Sequence, residues 1–193
     1  MKESVMRKCR ESMEIKEKFF EENSEKIISL CAVMANAFSQ GHRLFVMGNG
    51  GSSCDALHVA VEFIHPIIEK RRALPAVALT TDTATITAIG NDQDFSKVFS
   101  HQIDLLAREG DMALAISTSG ASANVLLGLQ TARKKGMTTI AFTGKDGGRI
   151  PEVADYCFIV RTFSIHRIQE VHVALLHIMW DMVHVTMGEE DVI

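Results

Sequence analysis

Apolar positions along the chain fall into two regimes. Up to about residue 40 they recur three and four residues apart among many charges, the period of an amphipathic helix. From residue 43 on they gather into short unbroken runs. The first regime predicts two helices, "VMRKCRESMEIKEKFFEEN" and "SEKIISLCAVMANAFSQG", the second capped by Ser24 and ended at Gly41. The first of them is polar enough to lie against something other than its own core, such as a second subunit. In the second regime "RLFVMG" (43–48), "PAVALT" (75–80), "MALAIS" (112–117), "TTIAFTG" (138–144) and "YCFIVR" (156–161) read as buried strands. Helical stretches are expected at 53–65, at 83–107 with an interruption at "GNDQD", at 122–135 and at 164–187.

Continuous apolar strands alternating with helices predict a parallel sheet covered on both faces. Right-handed crossovers make it a doubly wound, flavodoxin-like α/β domain with five strands. Residues 1–40 form a helical N-terminal extension and 41–193 the α/β core, all one domain. Ligands of such sheets sit beyond the carboxyl ends of the strands, where the winding switches. That points to the loops after residues 48, 80, 117 and 144.

Composition narrows the classes. A net charge of −4 gives no basic footprint for nucleic acid or an acidic membrane. No apolar run is long enough to span a bilayer, and the charged N-terminus is no signal peptide. Cys9, Cys31, Cys54 and Cys157 have no metal or disulfide spacing, which suits a reducing cytoplasm.

The loop "GNGGSS" (48–53) follows the first strand. Its glycines permit a sharp turn and close approach to a ligand, and Ser52 and Ser53 add hydroxyls at a helix start. It lacks the third glycine of a dinucleotide fingerprint and the lysine of a Walker loop. In "AISTSGASANVLLGL", Ser117, Thr118, Ser119 and Ser122 cluster before another helix, a cradle for a phosphate monoester. A serine-rich turn with Ser122 as a plain N-cap is the other reading. "FTGKDGG" (142–148) adds a third glycine loop whose Lys145 reads as a solvated lysine. Asp92 could orient substrate hydroxyls or merely cap a helix.

His58 and Glu62 stand four apart and share one helix face. Glu62 lies in the otherwise apolar "ALHVAVEFI", so it borders a cleft or is raised in pKa by burial. The last helix carries Gln169, His172, His177 and His184 on an apolar background. A phosphate cradle beside an unexplained carboxylate and imidazole suggests proton transfer on a sugar phosphate.

The motifs "GNGGSSCDALHVAVEF", "AIGNDQDFSKVFSHQ", "REGDMALAISTSGASANV", "ARKKGMTTIAFTGKDGG" and "RIQEVHVALLHI" together resemble the sedoheptulose 7-phosphate isomerases of the sugar isomerase (SIS) fold family. The resemblance implies conversion of sedoheptulose 7-phosphate to D-glycero-D-manno-heptose 7-phosphate, an early step toward heptose for surface polysaccharide. It assigns Glu62 as catalytic base and His177 as acid, with Ser52, Ser117, Ser119 and Ser122 on the phosphate and Thr118 beside them. Asn49, Gly50, Gly51 and Asp92 match substrate-pocket positions. It further implies zinc held by His58, Glu62, Gln169 and His177, and a homotetramer with shared active sites. Gln169 and His177 lie about 12 Å apart along one helix. Either a neighbouring subunit supplies one ligand, or one side chain reaches far.

The match has departures. Pro66 stands where an arginine is usual, His166 replaces an acid, and Ala121 replaces an asparagine in the serine loop. These touch sugar recognition more than proton transfer. The alternative is a non-catalytic SIS module that binds a sugar phosphate or a replication initiator; retention of Glu62, His177, His58 and Gln169 favours the enzyme. An isomerase for another sugar phosphate also stays open.

Overall fold

A single helix, α1 (Lys2–Ser39), replaces the two expected from the sequence. No glycine or proline interrupts residues 2 to 39, and the Asn23 amide donates to the Phe19 carbonyl at 2.8 Å within the same helix. The Asn23–Ser24 pair is thereby absorbed into the ladder instead of capping a new helix. Along about 57 Å of helix, the buried residues begin only at Phe19. Its first half is held by polar contacts with the start of the last helix: Ser12 donates to Glu170 at 2.6 Å, and Arg167 bridges Glu11 and Glu170. The computed structural model describes residues 1–67 and 71–191.

Five parallel strands follow: β1 (Leu44–Gly48), β2 (Ala76–Ala78), β3 (Met112–Ser117), β4 (Thr138–Gly144) and β5 (Tyr156–Val160), in the order β2-β1-β3-β4-β5. β2 is shorter than its apolar run because it is an edge, paired only with β1 from Leu44↔Ala76 to Val46↔Ala78. The helices are α2 (Gly51–Ile64), α3 (Thr83–Asp92), α4 (Val98–Leu106), α5 (Ala123–Lys134) and α6 (Ile165–Thr186). The expected helix 83–107 divides at Gln93, where the Asp94 carboxylate accepts from Ser96 N–H at 2.7 Å and starts a short 3-10 turn, Phe95–Lys97.

The pleat sends alternate strand residues to opposite faces. Leu44, Val46, Leu114, Ile116, Ile140 and Phe142 pack under α1, α2 and α6. Phe45, Met47, Ala113, Ala115 and Ala141 pack against α4 and α5. Burial on both faces is why the strands read as unbroken apolar runs. Among the described residues no helix is long and apolar enough to cross a membrane.

His172 ties α6 to the sheet. It is wholly buried, and its Nε2 lies 3.0 Å from the Thr143 carbonyl oxygen, to which it donates. Burial pushes its pKa down to about 4, against the smaller upward pull of that carbonyl. The folded form therefore disfavours the protonated ring. Stability should hold above about pH 6.5 and fall by up to about 3 kcal/mol as pH drops toward 4. Thermal melts of wild type and His172→Gln between pH 8 and 4 check this: the variant, though less stable at neutral pH, should lose less on acidification.

Candidate active site

The chain leaves β1 toward β2 in one direction and winds through β3, β4 and β5 in the other. The switch lies between β1 and β3, and the loops leaving those two strands are the glycine loop and the serine loop. A reciprocal amide pair joins them: Asn49 Nδ2 to Asn124 Oδ1 and Asn124 Nδ2 to Asn49 Oδ1, both 2.8 Å. Asn124 also accepts from Val125 N–H at 2.9 Å. The sequence reading missed Asn124; an asparagine between the serine cluster and the apolar run 125–127 was the available signal.

Gly50 precedes α2, with Gly51 as its first residue. A Cβ on Gly51 would stand 2.4 Å from the Gln169 side-chain nitrogen, so glycine is what lets Gln169 line this loop. Ser52 is buried in the first turn of α2. Ser117 ends β3, its Oγ 3.3 Å from that of Ser122. Ser122 occupies the N-cap position of α5 but makes no capping bond with its side chain, and α2 likewise has no side-chain cap. Ser122 is thus no plain cap, and two helix N-termini face this rim. Ser119 accepts from Ala121 N–H at 3.3 Å, with Thr118 half-buried beside it. The third glycine loop closes on the serine loop from outside: Arg149 N–H donates to the Gly120 carbonyl at 2.9 Å.

Further along α2, His58 Nε2 lies 3.3 Å from Glu62 Oε1, as the four-residue spacing requires. His177 Nε2 on α6 lies 3.2 Å from His58 Nε2. Donor atoms of His58, Glu62 and His177 all fall within 4.8 Å of one another. The cause is the way the helices pack. Gln169 meets Gly51 and His177 meets His58, so α2 and α6 run side by side in the same sense and keep the two sites level. Glu62 and His177 therefore meet within one chain, and no second protomer is needed to bring this pair together. Gln169 lies about two turns back along α6, by the glycine loop, and the fold does not carry it to the trio of its own chain.

Four-coordinate zinc with bonds of about 2.0–2.1 Å sets neighbouring ligand atoms about 3.3 Å apart. The separations of 3.2 and 3.3 Å from His58 Nε2 match that spacing on two of three edges, and all three ligand atoms stay within 4.8 Å of one another. Glu62 keeps 19% of its side-chain surface exposed and His58 36%, so both can be reached by a small molecule. Asp55, one turn before His58, was not singled out in the sequence. Its Oδ2 is buried without a hydrogen-bond partner among the described residues, and burial raises its pKa while the nearby His58 lowers it.

Asp92 ends α3, exposed, its carboxylate accepting from Asn91 at 2.7 Å. Among the described residues no hydrogen bond or ion pair joins it to either loop or to the trio. His166 and Ala121 are exposed, and Pro66 lies just beyond the end of α2.

Comparison with known proteins places these features in context. A SIS-domain family model matches residues 9–144. The phosphoheptose isomerase of Aquifex aeolicus (strain VF5) is 44% identical over 183 residues, 95% of this chain and 96% of the relative. The solved phosphoheptose isomerase GmhA of Neisseria gonorrhoeae superposes with a TM-score of 0.88 at 38% identity, over 94% of this chain and 97% of that one. A phosphoheptose isomerase from Francisella tularensis gives 0.91 at 32% identity, over 95% and 97%.

Proposed function

We propose a function from the family to which the chain belongs, the SIS-domain phosphoheptose isomerases: it interconverts sedoheptulose 7-phosphate and D-glycero-D-manno-heptose 7-phosphate. The observation that carries the reading is the convergence of Glu62, His58 and His177 about two helical turns along α2 from a hydroxyl-lined loop pair. That offset suits a polyol several carbons long, phosphate at one end and reacting carbons at the other.

Ser52, Ser117, Thr118, Ser119 and Ser122 take the phosphate oxygens, with the α2 and α5 N-termini adding positive potential. Asn49, Gly50 and Gly51 line the sugar. Glu62 Oε1 turns to His58, which leaves Oε2 to remove the C1 proton and return it at C2. His177 serves the adjacent oxygen as the enediol(ate) forms and collapses. His58, Glu62 and His177 would be the protein ligands for a zinc ion, which would polarise the sugar carbonyl in place of proton donation by His177. Gln169 can join such a site only from another copy, and Asp92 reaches a sugar in the same way. Leu57, Val61 and Ile64 form an exposed apolar row on α2 beside the trio, which supports a homotetramer with shared sites. Four free cysteines suit a reducing cytoplasm.

Aldose formation from sedoheptulose 7-phosphate tests the reading. Wild type should turn over, lose at least about tenfold of its rate to a chelator, and recover it with zinc. A zinc-supplemented wild type that binds the sugar phosphate without converting it would make the protein a receptor instead.

A further inference from the structure

A second group of buried polar side chains lies one turn beyond His177. The Arg71 side chain is only 1% exposed and pairs through Nη2 with Asp181. The same nitrogen reaches the Glu190 carbonyl oxygen at 3.4 Å, and the guanidinium lies over Trp180, 4.6 Å from the ring centroid. Among the described residues its Nε and Nη1 have no hydrogen-bond partner. Arg72 donates from Nε to Glu189 Oε1 at 2.7 Å, and Glu189 Oε2 lies 2.9 Å from Nδ1 of buried His184. The His184 ring packs on Trp180 and on Phe63, with centroids 5.1 and 6.4 Å away. Leu74 N–H then donates to the Phe63 carbonyl at 2.7 Å. Residues 71–74 are thus a strap fastened to the end of α2 and to the C-terminal half of α6.

The strap sits where the trio is most sensitive. Asp181 is four residues beyond His177, on the same helix face, and Phe63 directly follows Glu62. His58 and Glu62 ride on one helix and His177 on the other, so sliding or rotating α6 changes the separation of His177 from both. Metal ligands tolerate displacements of only about 0.2 Å. Burying a guanidinium with two nitrogens unpartnered is costly for stability alone. A positioning role accounts for its retention.

We propose that Arg71, through Asp181 and Trp180, sets the height and rotation of α6 against α2 and so holds His177 at ligand distance from His58 and Glu62. Arg71 touches neither sugar nor metal; it is a positioning residue. The inference rests on the metal-assisted isomerase reading above.

The test compares Arg71→Met, Arg71→Lys and Asp181→Asn with wild type. Arg43→Met serves as control, because Arg43 pairs with Asp111 at 3.1 Å and lies over Phe45, on the face of the sheet opposite to α2 and α6. Zinc affinity is read by competition with a chromophoric chelator, and kcat and KM with sedoheptulose 7-phosphate. Arg71→Met and Asp181→Asn should each weaken zinc binding about tenfold and lower kcat comparably, with KM within about twofold of wild type. The double variant should be no worse than either single one. Arg71→Lys should recover part of the loss, and Arg43→Met should melt lower yet bind zinc as wild type does. Zinc affinity and kcat within about twofold of wild type in folded Arg71→Met would overturn the proposal. So would an equal loss in Arg43→Met, since the effect would then follow global stability. If Arg71→Met does not fold, Asp181→Asn decides alone by the same limits. If wild type binds no zinc, the metal reading fails separately and kcat decides: a fall of about tenfold at unchanged KM upholds the strap, and no fall overturns it.

Discussion

Glu62→Gln should still bind sedoheptulose 7-phosphate yet isomerise it about a thousandfold more slowly or worse. The substitution keeps the shape of the side chain and its contact with His58, 3.3 Å away in the wild type, but removes the basic oxygen that takes the C1 proton. Binding survives because the phosphate is held at the other end, by serines on loops that Glu62 does not touch. The two effects are read separately, turnover by product formation and binding by calorimetry with the sugar phosphate. Equal turnover would remove Glu62 from proton transfer. A parallel loss of binding would mean that the carboxylate organises the pocket as a whole.

Gly120→Ala should cost about 3 kcal/mol or more and raise KM at least about tenfold. Gly120 has a φ of +62°, and a Cβ there would stand 1.9 Å from the Gly147 carbonyl oxygen, a backbone atom that cannot rotate away. Relief requires the 144–149 loop to back off the serine loop, which breaks the Arg149 N–H bond to Gly120 and displaces Ser119 and Ser122. Gly41→Ala separates strain from contact. Its φ of +81° is also left-handed, but nothing lies within 4 Å of its Cβ position. It should cost only about 1 kcal/mol and leave KM unchanged. If both variants behaved alike, close packing of the two loops would have no part in substrate binding.

The five strands were legible because β1, β3 and β4 are buried on both faces and the edge strands β2 and β5 in part, so apolar runs marked them all. The helix boundaries were less so. Asn23–Ser24 reads as a cap, yet α1 continues through it because the neighbouring carbonyls lie within reach of the Asn23 amide. At the site, the four-residue spacing of His58 and Glu62 announced their shared face. That His177 meets them in one chain follows from the parallel packing of α2 and α6, 119 residues apart at the His58–His177 contact, which no local pattern encodes. Asn124 and the pairing of Arg71 with Asp181 escaped for the same reason, since Asn49 and Asp181 lie 75 and 110 residues from their partners. The separation of Gln169 from His177 was legible from helix geometry alone, and Gln169 is indeed found by Gly51.

Proton transfer at the trio is open to the most direct check in D2O, with the reaction followed by proton NMR. Glu62 retains some exposure to solvent, so the proton it takes from C1 can exchange before it is returned. Deuterium should therefore appear at C2 of the aldose formed by wild type, and Glu62→Gln should form neither label nor product. An aldose carrying only the substrate's own hydrogen at C2 after many turnovers, or label at the same rate without Glu62, would contradict the account.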